Sequence, residues 1–118
     1  MRAAILGVLL SISVHAMAGA IDQAAALEML QRADTVLIDV RTAEEFAEGA
    51  LPGAVRIETP DLVARIHEVA PEKDTPVVLY CRSGRRSSAA QDVLQELGYS
   101  QVINAGAYDD LVSKLPRD

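Results

Sequence analysis

Cysteine occurs once in the 118-residue chain, at Cys81, so no internal disulfide can form. There is no Cys-x-x-Cys pair, which disfavours thiol–disulfide exchange. Tryptophan is absent, and three tyrosines and one phenylalanine are the whole aromatic content. The core must therefore be built from Val, Leu, Ile and Ala, which a half-apolar composition (50%) supplies. Basic residues are outnumbered, 11 Lys and Arg against 17 Asp and Glu, for a formal charge of −6. An acidic chain with no basic helix and no aromatic–basic platform is not a nucleic-acid binder. No cluster of metal-ligating residues occurs, and neither a metal nor a cofactor is expected. The length suits one domain and not two, with no internal repeats or linkers.

What is present begins with an apolar leader. Arg2 precedes the apolar stretch Ala3 to Val14, and Ala16-Met17-Ala18 and Ala18-Gly19-Ala20 read as small-residue cleavage sites. The pattern predicts a signal peptide over 1–20 and a folded domain over 21–118, exported to the periplasm with no stable membrane insertion after cleavage. The competing reading is a retained anchor, but Ser11, Ser13 and His15 interrupt a run already close to the spanning minimum of about 18 residues. An odd cysteine in an exported chain is a reactive thiol or an intermolecular partner.

The rest alternates between two periodicities. Asp22 can cap a helix running to Arg32, with Ala26, Leu27 and Leu30 on its apolar face. Val36 to Val40 reads as a buried strand. Thr42-Ala43-Glu44-Glu45 is a capping-box pattern opening a short helix that Gly49 stops. After the Pro52-Gly53 turn, Ala54 to Ile57 reads as a strand. Thr59-Pro60 opens a helix whose buried face is predicted as Leu62, Val63, Ile66, Val69 and Ala70, with His67 on the solvent side. Val77 to Tyr80 is a third strand. The helix after it carries Ala89, Ala90, Val93, Leu94 and Leu97 on one face, and Gly98 follows its end. Gln101 to Asn104 is a fourth strand, and Gly106 leads into a last helix through Leu115. The alternation predicts an α/β domain, a mostly parallel sheet with helices on both faces.

Between the third strand and its helix lies Cys81-Arg82-Ser83-Gly84-Arg85-Arg86-Ser87. Free N–H groups of a tight loop and a helix start point at any anion held there. A thiolate is such an anion, so the Cys81 thiol is expected to ionise readily, helped by three guanidinium groups. An inert structural cysteine would prefer apolar surroundings. Ligands of such sheets collect beyond the strands' C-terminal ends, where Asp39 and Arg41 also lie. These two are read as a supporting brace, with Arg41 paired to Glu44 or Glu45 and Asp39 holding a loop.

Val77 to Gly98 resembles the active-site segment of a rhodanese domain. Leu37-Ile38-Asp39-Val40-Arg41 with Glu44-Glu45-Phe46 resembles the family's first-strand signature, and Gly49-Ala50-Leu51-Pro52-Gly53-Ala54 its Gly-His-Ile-Pro-Gly-Ala turn. The three blocks stand in the family's order. The resemblance implies a single rhodanese-like domain acting as a thiosulfate sulfurtransferase. Cys81 would be the catalytic nucleophile, passing through a persulfide. Arg82, Ser83, Gly84, Arg85, Arg86 and Ser87 would form the substrate-binding loop, with Arg86 the strongest oxyanion anchor and Arg82 steering from outside. It implies a small anionic sulfur donor, a thiol or cyanide acceptor, and a monomer. The chain departs from the pattern at Ala50, where many members have histidine, and at Leu111, where many have tryptophan. Arg85 and Arg86 also replace small or apolar residues of the loops associated with thiosulfate or mercaptopyruvate, so the donor is open. Alternatives are a non-enzymatic persulfide carrier or binding module and a phosphatase or arsenate reductase. The related phosphatases place arginine six positions after the cysteine, where Ser87 stands here; Arg86 arrives one residue early.

Overall fold

In a computed structural model of the protein, residues 20–115 are described. Apart from Ala20, the predicted signal peptide lies outside the described residues. Among them, no helix is long and apolar enough to cross a membrane. Helix α1 (Gln23–Met29) starts where Asp22 accepts a hydrogen bond from the N–H of Ala25 at 3.1 Å. Strand β1 (Val36–Asp39) leads to α2 (Ala43–Ala47), whose capping box is formed by Thr42 and Glu45 as the spacing predicts. Strand β2 (Val55–Arg56) follows the Pro52-Gly53 turn. A 3-10 turn over Thr59–Asp61, with Pro60 inside it, runs directly into α3 (Leu62–Val69). Then come β3 (Val77–Cys81), α4 (Arg85–Glu96), β4 (Val102–Ala107) and α5 (Tyr108–Val112).

The four strands pair in parallel in the order β2-β1-β3-β4. Central β3 is buried at every position, as a strand covered on both faces must be. Its alternation divides the core. Val77, Leu79 and Cys81 face α3 and α4 with Ile38, Leu62, Ile66, Ala90 and Leu94. Val78 and Tyr80 face α1 and α5 with Ala26, Leu37, Ala105 and Leu111. Helices therefore cover both faces, and the C-terminal ends of β1, β3 and β4 deliver Asp39, Cys81 and Ala107 to one edge.

Several expectations change in detail: α1 ends at Met29 rather than Arg32, and α5 at Val112 rather than Leu115. Val63 is 62% exposed, because the inward arc of α3 is set by Leu62 and Ile66 and Val63 falls at its margin. Ala89 is also exposed, because α4 is rotated to bury Ser87 and Gln91. Ser87 donates to Asn104 Oδ1 at 2.7 Å, and the Gln91 amide nitrogen donates to the Val102 carbonyl at 2.8 Å, while the buried Gln91 Oε1 has no hydrogen-bond partner among the described residues. Finally, β4 runs past Asn104 to Ala107. Opposite the Leu79–Tyr80 step the register shifts, from Leu79↔Asn104 to Tyr80↔Gly106. Gly106, at φ +93°, lies inside the strand just past this bulge, a conformation glycine adopts without strain.

Candidate active site

The loop after β3 folds back over the cysteine that starts it. Gly84 adopts φ +97° as the N-cap of α4, and its N–H donates to the Cys81 sulfur at 2.9 Å. The first turn of α4 adds the Ser87 N–H and the Ser87 hydroxyl, each 3.4 Å from Sγ. Cys81 is fully buried. Burial pushes the thiol up, yet hydrogen bonds from the Ser87 side chain, the Ser87 backbone and the backbones of Ser83 and Gly84 outweigh it, and the net direction is down. That direction is the sequence expectation, with the Ser87 hydroxyl first among the lowering causes and the backbone N–H groups of Ser87, Ser83 and Gly84 after it.

The arginines take different places. Arg82 and Arg85 are exposed. Arg86 turns back onto α2, where Nη1 and Nη2 donate to the two Glu45 carboxylate oxygens at 3.0 and 3.1 Å. Arg82 Nη1 lies 3.9 Å from the same carboxylate. The guanidinium expected to be the main anchor for an incoming oxyanion is thus held by an internal one, while its charge still acts on Cys81. Ser83 receives a weak hydrogen bond from the Arg85 N–H at 3.4 Å.

Glu45 was read as a cap and as a possible partner of Arg41, not as the partner of Arg86. Its carboxylate accepts from the Thr42 N–H at 2.9 Å and from Arg86 at once, and those hydrogen bonds, Arg86 first, hold it down at about 2. A carboxyl depressed from its ordinary 4.5 stabilises the fold fully above that value and loses the contribution as pH falls towards 2. Glu45→Gln is therefore expected to lower stability at pH 7 by about 1–2 kcal/mol, discounted because the Arg86 side chain is 40% exposed. Denaturant titrations of both proteins at pH 7 and near pH 2.5 check this; a difference that does not shrink at the lower pH refutes the linkage.

Asp39 and Arg41 form the brace, but with each other. Arg41 Nη2 donates to Asp39 at 2.7 Å and Nε to both Asp39 oxygens at 3.0 Å, while the Arg41 N–H closes onto Asp39 at 2.8 Å. Arg41 does not reach Glu44 or Glu45 as expected, because Glu45 is committed to Thr42 and Arg86. Its Nη2 also donates to the Gly49 carbonyl at 2.7 Å, and the guanidinium lies 4.4 Å from the Tyr108 ring centre. An open cavity of about 160 Å³ beside this brace is lined by Arg41, Glu45, Arg82 and Tyr108 among others. Sequence reasoning also passed over Asn104, a fully buried amide that touches Ser87 at 2.7 Å. It carried no signal beyond being a polar residue in an apolar strand.

A sequence profile of the rhodanese-like domain matches residues 22–113. The chain is 38% identical over 74 residues to the thiosulfate sulfurtransferase PspE of Escherichia coli K12, spanning 63% of this chain and 71% of that protein. Among solved structures, a rhodanese with anions from E. coli superposes with a TM-score of 0.63 at 37% identity, over 64% of this chain and 89% of that one. The human single-domain sulfurtransferase TSTD1 gives a TM-score of 0.66 at 28% identity, over 79% and 94% of the two chains. The matched profile spans well over half the sequence and all of the loop, and the chain belongs to the rhodanese-like domain family.

Proposed function

We propose that the protein is a sulfurtransferase that carries a sulfane sulfur on Cys81 from thiosulfate, or a related small anionic donor, to cyanide or a thiol. The observation that carries this is the cradle of Gly84 N–H, Ser87 N–H and Ser87 hydroxyl on a single buried sulfur. The Cys81 thiolate attacks the outer sulfur of thiosulfate. A new S–S bond forms, the donor's S–S bond breaks, and its electron pair leaves with sulfite. A nucleophilic acceptor then attacks the outer sulfur of the Cys81 persulfide, and Sγ departs as a thiolate. The loop N–H groups stabilise charge on sulfur at both ends of the cycle, in the manner of an oxyanion hole. Arg82 and Arg85, both exposed, with Arg82 only loosely paired to Glu45 at 3.9 Å, draw the anionic donor to the loop mouth. Arg86 lends its field to Cys81 while Glu45 holds it.

The same reading exports the mature protein to the periplasm. Its supports are the apolar leader, its small-residue cleavage sites and a family match that starts at residue 22. Intact mass of protein exported from cells tests both parts. Thiosulfate is expected to add about 32 Da, cyanide to remove it, and the unloaded mass to begin after Ala18 or Ala20. A protein that gains sulfur but releases none to cyanide or thiols is a carrier, not a transferase; one that gains none from any donor is a binding module.

A further inference from the structure

A hydroxyl group has one proton to donate, and Ser87 has two acceptors for it. Cys81 Sγ lies 3.4 Å from Ser87 Oγ, and Asn104 Oδ1 lies 2.7 Å from it on the other side. All three groups are fully buried, so no solvent competes for that proton. The Asn104 amide cannot turn over to offer a donor instead. Its Oδ1 also accepts from the Gly106 N–H at 3.0 Å, and its Nδ2 donates to the Gly84 carbonyl at 3.1 Å. Asn104 is itself fixed, standing just before the β4 bulge and bridged to the segment at Ile21 and Asp22.

We propose that Asn104 is a positioning residue that gives the Ser87 hydroxyl a second seat, so that its proton follows the charge on Cys81. With Cys81 a neutral thiol, Ser87 donates to Asn104 and its oxygen is turned to receive the S–H. With Cys81 a thiolate, the hydroxyl rotates and donates to sulfur, and Asn104 Oδ1 keeps the Gly106 N–H. With sulfur loaded, the negative charge moves to the outer atom and Sγ becomes a poor acceptor. The hydroxyl then returns to Asn104 rather than standing buried and unsatisfied, which would cost the persulfide form stability. A residue that only packed the loop would not respond to the state of the sulfur. The inference rests on Cys81 being an ionising nucleophile, as proposed above, but not on which donor it uses.

The charged side chains of the loop are Arg82 and Arg85, both exposed, and Arg86 of α4, which interacts with Cys81 and is held in turn by Glu45 of α2. All four residues are kept constant in the test. The rate of Cys81 alkylation by iodoacetamide against pH reads the thiolate directly, with no need for sulfur transfer. It is measured in wild type, Asn104→Ala, Ser87→Ala and the double variant, each checked for folding by thermal melting. Removing the competing acceptor leaves the hydroxyl to sulfur alone. Asn104→Ala is thus expected to move the alkylation midpoint down by about half a unit to one unit, the size of one net hydrogen bond. In the Ser87→Ala background the same substitution is expected to move it little, and Ser87→Thr, which keeps the hydroxyl, to restore the response. Equal shifts in both backgrounds, or an upward shift with Ser87 present, overturn the proposal. If Asn104→Ala does not fold, the Asn104 side-chain amide and Gly106 N–H resonances of the wild-type protein serve instead. They are expected to titrate with Cys81 more strongly than in Ser87→Ala; equal movement in the two proteins overturns the proposal.

Discussion

Cys81→Ala is expected to abolish sulfur transfer, lowering turnover at least about 10⁴-fold, while the protein stays folded. The magnitude follows from what the residue supplies. No other thiol exists in the chain, and the described loop holds no second group that could carry sulfur covalently. The loop arginines would still gather thiosulfate, but proximity without a nucleophile leaves only the uncatalysed reaction. Cys81→Ser separates shape from chemistry. Its hydroxyl fits the same cradle of Gly84 and Ser87 donors, yet it does not ionise near neutral pH, so it too is expected to form no covalent sulfur adduct. Thiocyanate formation from thiosulfate and cyanide measures turnover, and melting curves establish that the fold survives. More than about 1% of wild-type turnover in Cys81→Ala would mean the reaction does not pass through a Cys81 persulfide.

The placement of the lone cysteine was legible because three independent patterns meet at residue 81: an apolar strand, a loop with three arginines and one glycine, and the start of an amphipathic helix. Local patterns were enough for most elements for the same reason. The capping box at Thr42–Glu45 and proline in the first turn at Pro60 act within a few residues of themselves. What sequence hid was anything that depends on which elements become neighbours. Glu45 satisfies a local cap and a partner 41 positions away with one carboxylate, and only the local half shows as a motif. Strand order hid likewise, and with it the contact between α4 and β4 that brings Asn104 to Ser87. The buried polar positions Ser87 and Gln91 defeated the apolar periodicity of α4. Their burial is stabilised by partners on β4, not by their own hydropathy.

Asp39→Asn is expected to be the most destabilising conservative change, by about 3–5 kcal/mol, because it leaves a buried guanidinium without its counter-charge. Asp39 is fully buried and Arg41 is 4% exposed, so neither charge has water to fall back on. The asparagine keeps the shape of the carboxylate but offers one acceptor in place of two and no charge, against donations from Arg41 N, Nε and Nη2. For a domain of this size the loss corresponds to a fall in Tm of roughly 15 °C or more. The double replacement Asp39→Leu with Arg41→Met removes both charges together. It is expected to be milder than Asp39→Asn, since a buried pair often exchanges for apolar side chains near neutrality. It should still fall short of wild type, because the Gly49 carbonyl loses its donor and the Tyr108 ring its stacked cation. Urea unfolding of wild type, the single and the double variant orders the three. If Asp39→Asn costs less than about 1 kcal/mol, solvent reaches Arg41 and the pair is no brace; if the double variant is worse than the single, the contacts of Arg41 to Gly49 and Tyr108 outweigh the buried charge. The expected order makes the pair the anchor for the Gly49 turn beside the cavity, and so assigns it to holding the site's wall rather than to binding the donor.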